Sequence, residues 1–177
     1  MNTLIFKSMS YGVYLVSTLD EGRPTGCIAN CVMQITVSPP TIAVSMSHDN
    51  YTNQCMERCQ LFGCSILSEQ SSHRMIGTFG FRSGEDVDKF EGIDYEMAAG
   101  VPVVKDSCGY VVCKIVNKLE TATHTVFLGE VIEAEAYEGE QKPMTYDWYR
   151  RVRKGKSPKS APTYLQEISF GKRTTDF

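Results

Sequence analysis

Residues 24–40 read PTGCIANCVMQITVSPP, and small side chains stand where a strand normally carries large ones. The small residues are Gly26, Cys27, Ala29, Asn30 and Cys31. Such residues let a ligand approach the backbone closely, and the Asn30 amide can both donate and accept a hydrogen bond. A crowded crossing inside a barrel would favour the same residues. This stretch therefore indicates either tight packing or a ligand held by backbone groups.

A second polar cluster, SHDNYT, follows the next apolar strand. Ser47, Asn50 and Thr52 supply hydroxyl and amide groups at the predicted start of a helix. Free backbone N–H groups at a helix N-terminus favour a phosphate. Asn50 or Thr52 would also serve as an ordinary N-cap. Capping and phosphate binding are compatible, so both interpretations stay open here.

The chain contains seven cysteines, an odd number. No secretory signal is recognised at the N-terminus, so the thiols are expected to stay reduced. Cys27/Cys31 and Cys55/Cys59 form two pairs, each with three residues between the cysteines. The first pair lies on a predicted strand, where the two sulfurs would be about 13 Å apart. This argues against a shared metal ion. Small buried cysteines are the favoured interpretation, and redox thiols are the alternative.

Hydrophobic periodicity predicts a mainly β chain with short helices. Strands are predicted at 11–19, 25–37, 41–47, 61–68, within 101–122 and at 123–138. Helices are predicted at 50–59 and 68–80, a loop with a helical turn follows, and 142–159 should be weakly structured. Short connections between many strands favour an antiparallel barrel. No dinucleotide or P-loop fingerprint follows a strand, so neither common phosphate loop is expected.

Composition sets further limits. A length of 177 residues favours one domain, and a net charge of −3 gives no reason to expect nucleic acid as a partner. No apolar run approaches the roughly 18 residues of a membrane helix. We therefore expect a cytoplasmic protein with neither a membrane nor a nucleic-acid partner.

Several blocks of the sequence resemble the flavin reductase-like family, in particular the flavoredoxins and the flavin reductase part of high-molecular-weight rubredoxins. The blocks are YGVYLVST, GRPTGCIANCVMQITVSPPTIAVSMSHDNYT, FGFRSGEDVDKF, THTVFLGEV and KPMTYDWYRRVRKGKSPKSAPTY. The resemblance implies an antiparallel, Greek-key-like, FMN-binding split β-barrel. It implies a single domain over residues 1–177, with the barrel at about 5–140 and a C-terminal extension at 141–177.

The resemblance also implies a homodimer with one non-covalent FMN per barrel near the dimer interface. The FMN phosphate is expected at the SHDNYT cluster, with Ser83 and Lys89 closing over it. The expected cofactor-binding residues are Gly26, Cys27, Ile28, Ala29, Asn30, Cys31, Ser45, Met46, Ser47, Asn50, Thr52, Phe81, Ser83, Gly84 and Lys89. No metal ligands are expected.

His124, at the start of THTVFLGEV, is the expected catalytic residue. The resemblance implies that it lies beside the flavin, where a donor or cation would stabilise charge on the reduced ring. The alternative is a structural histidine at the rim of the barrel. No nucleophile elbow or paired catalytic carboxylates are present.

The expected function is transfer of hydride from NAD(P)H to bound FMN, with electrons passing to free flavin, ferric iron or a redox protein such as rubredoxin or ferredoxin. The alternative is a flavoredoxin-like electron carrier that does not oxidise NAD(P)H directly, and a third is a flavin-binding relative with neither role. The Cys-x-x-Cys-Gly module of the rubredoxin fusions does not follow the barrel. That difference argues against a built-in one-electron outlet.

Overall fold

The computed structural model describes residues 2–164. The strands within that range are β1 Tyr14–Asp20, β2 Arg23–Ala29, β3 Val32–Val37, β4 Pro40–Ser47, β5 Leu61–Ile66, β6 Tyr95–Ala98, β7 Val101–Val104, β8 Gly109–Glu120 and β9 His124–Ala136. A 3-10 helix spans Thr3–Ser8, and the α-helices are α1 Tyr51–Cys59, α2 His73–Phe81 and α3 Tyr146–Arg151.

Seven strands form one antiparallel sheet in the order β2-β1-β5-β8-β9-β4-β3. The strands β6 and β7 form a separate hairpin. The apolar faces of the large sheet enclose a core that includes Val16, Val44, Phe62, Cys113 and Phe127. This core removes most of the barrel's large side chains from water, which is the main favourable term in folding. The predicted mainly antiparallel fold is confirmed.

A second core fixes α2 and the segment after it against the outside of the barrel. Met75, Ile76 and Phe79 of α2 are buried with Leu15 of β1 and Phe90. The Phe79 and Phe90 rings meet edge to face, with centroids 4.9 Å apart. Edge-to-face pairs are favourable beyond the area that they bury. The loop between α2 and Phe90 is therefore held at both ends.

The prediction of one strand over 25–37 is wrong, because the chain breaks at Asn30 and Cys31. The strands on either side of the break lie at opposite ends of the sheet order, so one continuous strand could not supply both. The Cys31 carbonyl instead accepts the Ser45 N–H over 3.0 Å. Cys27 and Cys31 consequently do not share a strand.

The prediction of weak structure over 142–159 is also wrong, since α3 lies inside it. Thr145 caps that helix by accepting the Trp148 N–H over 3.1 Å. The helix has only six residues, which is too few to show a clear helical period in the sequence. The helical turn predicted after the FRSGEDVDKF loop is also wrong, because the segment between α2 and β6 contains only turns, and β6 itself was not predicted. The other predicted strands and helices are confirmed, although the first strand begins at 14 and α2 at 73. No helix in the described part of the chain is both long and apolar enough to cross a membrane.

Candidate functional site

A cleft of about 580 Å³ opens where the ends of β2 and β4 meet the start of α1 and the end of α2. Its volume falls within the range of about 300–1,000 Å³ that is usual for small-molecule sites. Its walls are residues 27–30, 45–47, 49–51, 79–84, Lys89, 157–162 and Tyr164. Most of the predicted cofactor-binding residues share this one cleft.

The predicted residues in the cleft wall are Cys27, Ile28, Ala29, Asn30, Ser45, Met46, Ser47, Asn50, Phe81, Ser83, Gly84 and Lys89. Gly26, Cys31, Thr52 and His124 lie outside it. Thr52 is buried in α1 and gives its backbone N–H to the Asn50 cap. Cys31 lies past the end of β2. The binding role of these residues stays a prediction.

The wall formed by β2 presents backbone rather than large side chains. This strand pairs with β1 alone, so its other edge has no strand partner in the described sheet. The Gly26 carbonyl on that edge accepts a hydrogen bond from Lys89 Nζ. Because backbone groups alternate between the two edges of a strand, the N–H and C=O of Ile28 face the same way. This edge can give and accept hydrogen bonds along the rim of a flat ring.

The start of α1 and the loop at Ser83–Gly84 form the opposite end of the cleft. Asn50 Oδ1 accepts the Thr52 N–H over 3.0 Å, so the predicted N-cap is Asn50. A Cβ at Gly84 would lie 3.4 Å from Tyr51 Cδ1 and would collide with Thr25 Oγ1. Glycine at this position therefore lets the loop approach both α1 and β2.

Lys89 is buried beside these groups, with only 4% of its surface exposed. Its Nζ donates to Gly26 O over 2.7 Å and to Phe79 O over 3.2 Å. An ammonium has three donors, and no carboxylate lies within 4.0 Å of it among residues 2–164. Burial lowers the pKa of Lys89. A bound anion would supply the missing counter-charge.

Thr25 Oγ1 adds a second unsatisfied polar group near the loop. It is buried and has no hydrogen-bond partner within residues 2–164, and it lies against Gly84. A buried hydroxyl without a partner is costly, so such groups often mark a place where a ligand or water completes the bonding. Thr25 itself lies outside the cleft wall, so the fit of an anionic group in the cleft rests on the buried charge of Lys89.

The cysteine thiols near the cleft are neutral side chains at ordinary pH. Burial raises the pKa of Cys27, and nearby Lys89 only partly opposes this. Burial raises the pKa of Cys31 to about 11. Because the thiolate is the reactive form, these residues have the character of small apolar side chains. All seven cysteines are free thiols, and no cluster of three metal-ligating side chains occurs among residues 2–164.

His124 begins β9 directly opposite Ser47 of β4. Its Nδ1 lies 2.8 Å from Thr123 Oγ1, while its Nε2 is buried and has no partner in the described part of the chain. Directly opposed residues project from the same face of a sheet, so His124 neighbours the cleft wall at Ser47 without forming part of it. Its catalytic role stays a prediction.

The sequence did not indicate the strap, which we define as residues 157–164. Part of it lines the cleft, and Asn30 Nδ2 donates to Thr163 Oγ1 over 2.5 Å. Outside the strap, the wall residues that were not predicted are Asp49, Tyr51, Phe79, Gly80 and Arg82. Proline and lysine in this segment indicate only an exposed loop. The sequence signal for the strap is that it falls within KPMTYDWYRRVRKGKSPKSAPTY, one of the blocks that resemble the family.

The fold and the cleft together define a class, the split-barrel flavoproteins with a mainly antiparallel sheet. The chain belongs to the flavin reductase-like family, since the family description "Flavin reductase like domain" matches residues 6–156. The predicted family and the predicted class, a flavin-dependent oxidoreductase, are confirmed.

Two curated relatives and one solved structure illustrate the similarity. The high molecular weight rubredoxin of Moorella thermoacetica is 38% identical over 167 residues, which cover 93% of this chain and 72% of that protein. The ferric-chelate reductase (NAD(P)H) of Archaeoglobus fulgidus is 36% identical over 168 residues, 94% of this chain and 99% of that protein. The NADH:FAD oxidoreductase of Streptomyces globisporus, in complex with NAD and FAD fragments, is 26% identical, with a TM-score of 0.71 and coverage of 80% and 83%.

Proposed function

We propose that the cleft binds FMN without a covalent bond and that the protein uses it to oxidise NAD(P)H. The observation that carries the proposal concerns the described residues 2–164. There, a β2 edge without a strand partner meets Lys89, which is buried with no carboxylate within 4.0 Å. A flavin mononucleotide presents a polar ring edge and a phosphate, which match those two features. When bound, FMN supplies the redox chemistry, because its ring accepts two electrons from a nicotinamide and returns them to an acceptor.

The residues of the chain bind and orient the cofactor. The backbone of Ile28 and the Asn30 amide are placed to hydrogen-bond the polar edge of the ring. Lys89 and Ser83, with the N–H groups at the start of α1, are placed to hold the phosphate. The protein needs no general acid or base for this chemistry, because its contribution is position and charge.

His124 is proposed to serve the nicotinamide rather than the resident cofactor. It lies outside the cleft wall but beside Ser47, and its buried Nε2 lacks a partner. A donor in that position could contact a second molecule that enters the cleft transiently. A buried nitrogen without a hydrogen-bond partner calls for an explanation, and a transiently bound nicotinamide would supply one.

The proposed acceptors are free flavin, ferric iron or a redox protein. The relatives named ferric-chelate reductase and NADH-dependent FAD reductase support a reductase. The relative named high molecular weight rubredoxin supports a redox-protein partner such as rubredoxin or ferredoxin. Steady-state oxidation of NADH and NADPH by FMN-loaded protein tests the reductase. If neither nucleotide is oxidised while a reduced ferredoxin or rubredoxin reduces the flavin, the protein is an electron carrier instead.

We also propose that the protein is a homodimer in which β3 is covered by a second copy. This strand lies at one end of the sheet, and Met33, Ile35 and Val37 are 63%, 44% and 80% exposed. An edge strand with exposed apolar side chains is normally covered or paired. Because the turn from β2 into β3 passes the cleft at Asn30, the interface would lie close to the flavin.

A further inference from the structure

Asp20, the last residue of β1, accepts hydrogen bonds from three side chains, two on α1 and one on β2. The Tyr51 hydroxyl donates to Oδ2 over 2.6 Å, and Arg23 Nη2 donates to Oδ2 over 3.1 Å. Arg58 Nη2 donates to Oδ1 over 2.7 Å. We call these four residues the Asp20 cluster. Only Tyr51 of the four lines the cleft, so the carboxylate acts behind the wall rather than in it.

The Asp20 cluster reaches the loop opposite α1 through Arg23. The same Nη2 that contacts Asp20 also donates to the Gly84 carbonyl over 2.9 Å. Tyr51 is the first residue of α1. Asp20 therefore connects the N-terminus of α1 with the loop that carries Ser83 and Gly84.

The electrostatics favour a lasting connection rather than a loose surface pair. The Asp20 side chain is only 14% exposed. The Tyr51 hydrogen bond, followed by those from Arg23 and Arg58, lowers the pKa of Asp20 to about 2, against the opposing effect of burial. The carboxylate is thus ionised at any ordinary pH. Hydrogen bonds to a charged acceptor are shorter and stronger than neutral ones.

We propose that Asp20 is a positioning residue for the phosphate end of the cofactor site. It holds the start of α1 and the Ser83–Gly84 loop at the spacing that a phosphate bridges. The inference rests on the proposed function, because it assigns that end of the cleft to the FMN phosphate. Without the carboxylate, the binding residues themselves are unchanged, but Asp20 no longer connects the start of α1 with the Ser83–Gly84 loop.

The test compares FMN with riboflavin, which lacks the phosphate, by titrating flavin-free protein and following the fluorescence of each flavin. Asp20→Asn should weaken FMN binding by about tenfold or more, which corresponds to ~1.4 kcal/mol. Riboflavin binding should change by less than about twofold, because the ring site lies elsewhere in the cleft. The matched control is Glu57→Gln on α1, which breaks the 2.7 Å pair with Lys118 away from the cleft. The control should leave both affinities unchanged.

Arg23 provides an independent pair of variants if Asp20→Asn does not fold, as judged by its thermal unfolding. Arg23→Lys retains a charged donor that can contact Asp20, so it should bind FMN more tightly than Arg23→Gln. An equal loss for FMN and riboflavin, or unchanged FMN binding in Asp20→Asn and Arg23→Gln, would overturn the inference alone. Wild-type protein that binds neither flavin would overturn the proposed function, and the inference with it.

Discussion

At the scale of single residues, Lys89 binds two backbone carbonyls, and we propose that it also binds the cofactor phosphate. Lys89→Met keeps the buried stem but removes the donors to Gly26 and Phe79 along with the charge. We expect FMN affinity to fall by ~1.5–3 kcal/mol more than riboflavin affinity, as is typical of a charge-assisted contact. Calorimetric titration with each flavin measures that difference. Equal losses would show that Lys89 only supports the strand edge.

His124 allows the opposite prediction, an effect on rate without an effect on cofactor affinity. His124→Ala should leave FMN affinity within about threefold, because the residue lies outside the cleft wall. The same change should slow reduction by NAD(P)H about tenfold or more, a loss of ~1.4 kcal/mol in transition-state stabilisation. Stopped-flow absorbance of FMN-loaded protein provides the rates. An unchanged rate would make His124 a structural residue of the barrel rim.

At the scale of structural elements, the strap over the cleft should control how fast FMN leaves. Thr163→Val removes the acceptor for Asn30 Nδ2 while keeping the side-chain shape. Loss of one partly buried hydrogen bond, about 1 kcal/mol, should speed FMN release severalfold. Thr163→Ser keeps the hydroxyl and should behave like the wild type. The measurement is the rate at which an excess of a flavin-free FMN-binding protein captures the released FMN. Equal rates for the Val and Ser variants would contradict the assignment.

Elements whose signals are local could be predicted from the sequence. The start of α1 follows from its Asn50 cap, and β9 follows from its apolar stretch at 126–128 and the alternation of apolar residues with glutamate after it. The break between β2 and β3 could not be predicted, because it depends on which strands lie at the two ends of the sheet. Local composition near Asn30 is equally compatible with one strand or two.

The same distinction applies to the site. The small residues of β2 and the SHDNYT cluster are visible in the sequence because their types are unusual for their positions. The Asp20 cluster is not visible, since Asp20 and Arg23 look like an ordinary turn. The hydrogen bond between Asp20 and Tyr51 joins residues 31 positions apart in the sequence, so it exists only in the folded chain. The strap depends in the same way on the tertiary contact between Asn30 and Thr163.

At the scale of the whole molecule, the exposed apolar strand β3 predicts self-association. Light scattering at micromolar concentration should give the mass of two chains. Val37→Asp, at the most exposed of the three β3 positions, should shift the protein towards monomer, because a buried unpaired charge is strongly unfavourable. Met97→Asp is a matched control on β6, where the side chain is 52% exposed. A wild-type monomer with FMN bound would contradict the proposed dimer.

We propose that one cleft binds FMN and lets NAD(P)H reduce it. The most direct measurement is anaerobic stopped-flow absorbance of the FMN-loaded protein mixed with NADH or NADPH, without any other redox protein. We expect the visible flavin bands to bleach in a single turnover, at a rate that rises and saturates with nucleotide concentration. Bands that stay unchanged with both nucleotides, yet bleach when a reduced electron-transfer protein is added, would contradict the claim.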